Sequence, residues 1–416
     1  MNGRRMAAVD AQFYWTSATI PNDQFLLYAF AGVPADLDAA VSEVLGRARA
    51  SADLTMRVKD AGALAYPRWV PAVGHLGAVR HRLADDTWAG CLDSVVRFTA
   101  DQLDIRDAPW RLHLFAPVRD IPGYTGAGTV AVLQVAHALA DGARASALAA
   151  WMFGRAAPIP AVPAPQRGWL PWRAVVAART HRQQVGDTRA GRLPPPVGNR
   201  PALATNARPS GRRAVRILIR RRAQLSGPTV TVGVLAAVSV ALSGHLGGEC
   251  DTLGAEVPMA KPGIRQAHNH FGNICVGLYP HLDRQARTER IAVDIANGRL
   301  RARHPAARSA DRAFAAVPAA LLRWGIAQFA ARLDPDARPA RVTGNTVVSS
   351  VHRGTADLRF GAVPVLLTAG FPALSPAMGL THGVHGIGDT VAISVHAAES
   401  AIGDIDDYLQ RLDAAL

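Results

Sequence analysis

Between Pro158 and Arg213, proline recurs at Pro158, Pro160, Pro163, Pro165, Pro171, Pro194, Pro195, Pro196, Pro201 and Pro209, set among Arg, Gly and Gln. Each proline lacks a backbone N–H and locks its φ, so this density forbids the interior of an ordinary helix or sheet. The stretch reads as a connector, and the chain is expected to fold as two halves, residues 1–157 and 214–416, joined by residues 158–213. Within the connector only Trp169 to Gln184 suits a helix, a short basic amphipathic one. A length of 416 residues fits two units of about 150–200 residues better than one core.

The composition is globular, with 49% hydrophobic and 19% charged residues. A formal charge of +14 comes almost wholly from Arg, since Lys59 and Lys261 are the only lysines. It admits a nucleic acid, a phosphate-bearing ligand or an anionic membrane surface. The arginines are dispersed and aromatics, 6% of the chain, do not interleave with them, so nucleic acid is not the expected partner. Cys91, Cys250 and Cys275 are too few and too scattered for a disulfide framework or a CxxC zinc site, and they fit a reducing compartment. Met1 to Phe13 meets Asp10 too early to hold a signal-peptide core. The longest apolar run, Val230 to Leu246, is interrupted by Gly233, Ser239, Ser243, Gly244 and His245 and reads as a buried helix rather than a membrane span. The expected location is cytoplasmic, or peripheral on the inner face of the membrane.

Both halves mix helices and strands. In the first, helices are expected at Leu37–Ala52, Cys91–Leu103 and Ala143–Phe153, with strands at Trp110–Pro117 and Thr129–Ala136, the last continuously apolar as in a sheet interior. In the second, strands are expected at Arg213–Ile219, Thr252–Met259, Ile274–Tyr279, Asn345–Val351 and Thr390–Ala397. Its helices are expected at Glu289–Arg301, capped by Thr288, at Ala313–Leu333, with Pro318 in its first turns, and at Ile405–Leu416, capped by Asp404. The fold class is α/β (α+β) with two lobes. The Ala313–Leu333 helix carries a broad apolar face with Trp324 and Phe329 beside Arg323 and Arg332. Such a face suits a protein core or a membrane surface, and both readings stand.

The strand Thr129–Ala136 runs directly into His137-Ala-Leu-Ala-Asp141-Gly142. A histidine leaving a buried strand on a turn closed by Gly142 can face a cleft while the sheet holds its backbone. Its imidazole can then take a proton from an attacking alcohol or amine near neutral pH. Asp141, beyond the turn, is expected to hold the loop through a buried ion pair. His382, His385 and Asp389, spaced through Gly383, Gly386 and Gly388, lack the helical His pair of a zincin and read as a solvent-exposed turn, so no metal site is expected. There is no Walker A sequence and no GxSxG elbow.

These segments resemble the CoA-dependent acyltransferase superfamily of chloramphenicol acetyltransferase and nonribosomal condensation domains, and more narrowly the bacterial wax ester synthase/diacylglycerol acyltransferase family. Ala8-Val-Asp10-Ala11-Gln-Phe13 is similar to that family's PLDAxF opening, and Ala136 to Gly142 to its HHxxxDG. Asn269-His-Phe271-Gly272-Asn273 with Leu278-Tyr-Pro280 is similar to NxxGN…LP, and Val347 to Val351 to VSNVPG. The family's first His stands here as Ala136, its PLW as Ala108-Pro109-Trp110, its ND pair as Thr231-Val232 and the Asn of VSN as Ser350.

The resemblance implies two chloramphenicol-acetyltransferase-like lobes, each a mixed sheet flanked by helices, with a tunnel between them. It implies His137 as base within a His137, Asp141, Gly142 motif, Ser349 and Ser350 as oxyanion donors, and Asn269 and Asn273 as substrate or oxyanion contacts. By analogy with the family's VPxxxR pattern, Val257-Pro258-Met-Ala-Lys261 makes Lys261 the expected partner of Asp141. The implied activity is transfer of a fatty acyl group from acyl-CoA, a substrate and not a resident cofactor, to a hydrophobic alcohol such as diacylglycerol or a long-chain alcohol. Two alternatives stay open: a superfamily enzyme using an amine, a sugar hydroxyl or a carrier-bound donor, and a non-catalytic acyl-binding scaffold.

Overall fold

The computed structural model describes residues 3–72, 77–165, 168–248, 250–332 and 339–416. Its frame is two six-stranded mixed sheets. The first has the spatial order Arg359–Phe360, Val363–Gly370, Gln24–Phe30, Gly128–Val135, Trp110–Val118, Ala78–His81. Its centre is Gly128–Val135, every residue of which is buried, as the apolar run Val130–Leu133 requires of a strand covered on both faces. The second has the order Phe271–Gly277, Gly254–Ala260, Thr346–His352, Leu380–Ile387, Thr390–Ala398, Arg213–Arg221.

The sheets do not divide the chain at the connector. Arg359–Phe360 and Val363–Gly370 come from the second half yet extend the first sheet, Val363–Gly370 pairing antiparallel with Gln24–Phe30. The expected boundary of 214–416 therefore gives way: residues 359–370 belong to the first lobe's sheet. One core cluster packs against each sheet, and a third gathers Leu27, Val132 and Leu367 of the first sheet, Cys91 and Val95 of the Trp88–Phe98 helix and Val215, Ile217 and Ala392 of the second. The lobes thus share apolar burial.

Most expected elements lie within a few residues of their places, including the buried Val230–His245 helix and the closing Ile405–Ala415 helix with Asp404 at its cap. Four differ. The single helix expected at Ala313–Leu333 is two, Pro305–Phe314 and Ala319–Ala331, bent by 99°, because Pro318 cannot sit inside a helix and instead caps the second one; Leu333 lies outside the described residues. The helix expected at Glu289 begins earlier, at Arg284, capped by Asp283, while Thr288 bonds the Arg284 carbonyl from inside it. The connector helix is longer than expected, Leu170–Arg189, with no buried residue. Among the described residues no single helix is long and apolar enough to cross a membrane.

The fourth difference concerns His382 and His385, which lie on the wholly buried strand Leu380–Ile387, not on an exposed turn. The glycines that suggested a turn mark a close approach instead, since a Cβ on Gly383 would lie 2.3 Å from the Gly370 carbonyl oxygen. His382 is bonded on both ring nitrogens, Nδ1 to Thr346 Oγ1 at 2.9 Å and Nε2 to the Tyr408 hydroxyl at 2.9 Å. Burial lowers its pKa from 6.5 to about 4, so the folded state holds it neutral. Its contribution is present above pH 6.5 and fades as pH falls toward 4, a loss of roughly 3 kcal/mol. A His382→Gln variant is expected to be less stable than the parent at pH 7 and to lose less stability on acidification, measured by urea unfolding across that range.

Candidate active site

His137 leaves the end of Gly128–Val135 on a short turn, half-buried, at the seam between the lobes. Its Nδ1 lies 2.9 Å from Asn269 Oδ1, in the second half of the chain. The orientation of the Asn269 amide follows from its other partners. Nδ2 donates to Asp10 Oδ1 at 3.0 Å and to the His137 carbonyl at 2.8 Å, both acceptors, so Oδ1 must face the imidazole and accept from Nδ1–H. The tautomer is thereby set with the lone pair on Nε2, the form a general base requires. Burial lowers the His137 pKa, against the raising effect of the Asn269 bond, which keeps the ring neutral near pH 7. The Phe13 ring stacks on the imidazole at 4.0 Å and 2°, and Phe271 lies at 5.6 Å.

Asp10, on the helix Ala8–Ser17, is 1% exposed and accepts the backbone N–H groups of His268 and Asn269 at 3.0 and 2.9 Å in addition to the Asn269 side chain. Burial outweighs these bonds and raises its pKa to about 6. Asn269, expected as a substrate or oxyanion contact, has both hydrogens of its Nδ2 committed to Asp10 and the His137 carbonyl and turns its Oδ1 to the imidazole.

Asp141 points away from the imidazole, as expected, and caps the Gly142–Met152 helix by accepting from Arg144 N at 2.9 Å. Its ion-pair partner is Arg265, not Lys261. The guanidinium reaches both carboxylate oxygens, at 2.8 and 3.1 Å, and His270 N adds a bond at 2.8 Å. Burial raises the Asp141 pKa, but Arg265 and these N–H groups more than reverse it and hold the carboxyl below its usual range. Lys261 lies at the end of its hairpin strand and pairs with exposed Asp311 at 2.6 Å. The loop that follows turns at Gly263, φ +87°, and carries Arg265 back into the seam. Gly142 opens the helix with ordinary helical φ; its role is space, since a Cβ there would meet Val351 Cγ2 at 3.3 Å.

Ser350 accepts a hydrogen bond from Thr231 Oγ1 at 2.8 Å, at the first turn of Val230–His245, and Ser349 neighbours it on Thr346–His352. The bond of Asn273 runs to Glu256, so nothing brings it to His137. Among the described residues no cluster of side chains could hold a metal ion. Arg265 and Phe271 escaped the sequence reading; an arginine a few positions past the VPxxxR spacing was the available signal for the first.

No protein-family model matches the chain, and no curated protein matches it in sequence. Solved structures do match. A wax ester synthase/diacylglycerol acyltransferase from Marinobacter aquaeolei VT8 superposes with a TM-score of 0.62 at 18% identity, over 99% of this chain and 97% of that one. The starter condensation domain of rhizomide synthetase, in complex with C8-CoA and Leu-SNAC, gives 0.58 at 13%, over 99% and 92%. The first condensation domain of the calcium-dependent antibiotic synthetase gives 0.57 at 14%, over 100% and 96%.

Asp141→Asn, which leaves the mostly buried Arg265 side chain, 14% exposed, without its counter-charge, is expected to cost about 3 kcal/mol in chemical denaturation. Lys261→Ala, which touches only an exposed pair, is expected to cost under about 1 kcal/mol; the reverse ranking would exchange the two partners. On its sheets, its seam and these superpositions, the chain has the two-lobed fold of the wax ester synthase/diacylglycerol acyltransferase and condensation-domain structures that it matches.

Proposed function

We propose that this protein is an acyl-CoA-dependent O-acyltransferase that moves a fatty acyl group onto a hydrophobic alcohol, diacylglycerol or a long-chain alcohol. The observation that carries the reading is the Asp10–Asn269–His137 chain of hydrogen bonds, which leaves Nε2 as the proton acceptor at the seam. Acyl-CoA as donor is supported by the fold shared with a diacylglycerol acyltransferase and with a condensation domain solved with C8-CoA. The hydrophobic acceptor is supported by an exposed apolar helix near the seam, on which Trp324 is 61% and Phe329 56% exposed. The same helix suits transient contact with a membrane surface, a peripheral cytoplasmic placement.

In this mechanism Nε2 takes the proton of the acceptor hydroxyl as its oxygen attacks the thioester carbonyl. The tetrahedral oxyanion collapses, the C–S bond breaks, and the imidazolium returns the proton to the departing CoA thiolate. The Ser350 hydroxyl, which accepts from Thr231, keeps its own hydrogen for the oxyanion, and Ser349 is the neighbouring candidate. One such donor is worth about 2.7–4 kcal/mol of transition-state stabilisation. No resident cofactor enters the scheme.

The test is CoA release from a panel of acyl-CoAs with fatty alcohol, diacylglycerol and amine acceptors. Turnover with the alcohols is expected, reduced about 10²–10⁴-fold in a stably folded His137→Ala variant; turnover with amines alone, or undiminished turnover in the variant, sinks the reading. The rate is also expected to fall as pH drops below about 6, where Asp10 takes up a proton and the bonds it accepts from Asn269 and the backbone lose their charge assistance.

A further inference from the structure

A groove of about 510 Å³ runs between the helices Ala8–Ser17 and Ala319–Ala331. Its lining is Val317 with Leu321, Leu322, Trp324, Gly325, Ile326 and Phe329 of one helix, and Gln12 and Thr16 of the other, with no charged residue among them. The volume falls within the roughly 300–1,000 Å³ of pockets that hold organic ligands. Gln12 and Thr16 are spaced i, i+4 and share one face of their helix, while Asp10 and Phe13, spaced i, i+3, share the adjoining face. Asp10 holds Asn269 and Phe13 stacks on His137 at 4.0 Å. One short helix therefore presents one face to the groove and the next to the base, with Phe13 at the border.

We infer that this groove seats the aliphatic chain of the alcohol acceptor, and that Phe13 is the residue separating the seated chain from His137. The inference rests on the acyltransferase reading and names where its acceptor lies. The acceptor is the substrate assigned because it is the uncharged, poorly soluble one. The mouth of the groove, where Leu321, Trp324 and Phe329 are 50%, 61% and 56% exposed, is open to a lipid phase. A CoA thioester carries several phosphate charges, and nothing in the lining answers them.

Gly325 supplies the test, because it lines the groove and a Cβ built there meets no atom within 4 Å, so Gly325→Leu adds bulk from an open position and places a better helix former in the Ala319–Ala331 helix. The first readout needs no turnover: quenching of Trp fluorescence by a brominated long-chain alcohol. Quenching of the parent is expected, markedly reduced in Trp324→Phe, with affinity weakened about tenfold or more in Gly325→Leu at an unchanged or raised melting temperature. The second is CoA release in two series, alcohols of increasing chain length with one acyl-CoA, and acyl-CoAs of increasing chain length with one alcohol. The long-over-short preference is expected to shrink in Gly325→Leu for the alcohol series alone. Equal alcohol affinity in the two proteins overturns the inference. So does a changed acyl-CoA series, which would assign the groove to the donor. Quenching by brominated anionic vesicles but not by the free alcohol would make it a membrane seat. If the alcohol binds as expected and no acyl-CoA is turned over, the groove stands and the acyltransferase reading falls.

Discussion

Two buried carboxylates of the first half hold one short segment of the second, and the site exists because of that clasp. Asp10 and Asp141 between them accept the backbone N–H groups of His268, Asn269 and His270 together with the Asn269 amide and the Arg265 guanidinium. The geometry is reciprocal, for the segment returns a carbonyl, that of His268, to the Asp141 N–H at 3.3 Å. Each carboxylate alone would be costly to bury, and each is repaid by several donors converging on it. Their difference in partner decides their difference in charge. Asp141 is bonded by a guanidinium and stays ionised, whereas Asp10 is bonded only by neutral N–H groups, with Arg144 acting on it through charge alone, and sits near the edge of protonation.

The clasp also explains why the His137 ring is held in one tautomer with no carboxylate beside it. A carboxylate on Nδ1 would raise the basicity of the ring and place a charge at the seam, while an amide fixes the tautomer without either effect. Asn269 is itself fixed by Asp10, so the carboxylate acts on the imidazole through a neutral intermediary.

Much of this was readable from residues. The continuous apolar run before His137 announced an interior strand, and the position of Asp141 past the turn announced a buried pairing role, both as found. What stayed hidden depended on contacts distant in sequence. Lys261 lies at the spacing that suggested an ion pair, but Arg265 fills the role because the chain doubles back at Gly263, a turn whose direction no local pattern states. Gly383 and Gly386 looked like loop residues because a glycine chosen to let two backbones approach is the same letter as one chosen for its freedom of φ. Pro318 was legible as a constraint, yet its effect, a break with a sharp bend, depends on what each helix then packs against.

The return of residues 359–370 to the first sheet has a bearing on how the molecule is made. As the chain leaves the ribosome from its N-terminus, Gln24–Phe30 finds its inner neighbour, Gly128–Val135, early. Its other edge has no partner until Val363–Gly370 has been synthesised, most of the chain later. Through that interval the first lobe carries an open, almost wholly buried-type strand edge, the kind that pairs with whatever strand it meets. The order of translation therefore leaves the earliest lobe to appear open until most of the chain has been made, and couples its completion to nearly the whole length of the protein.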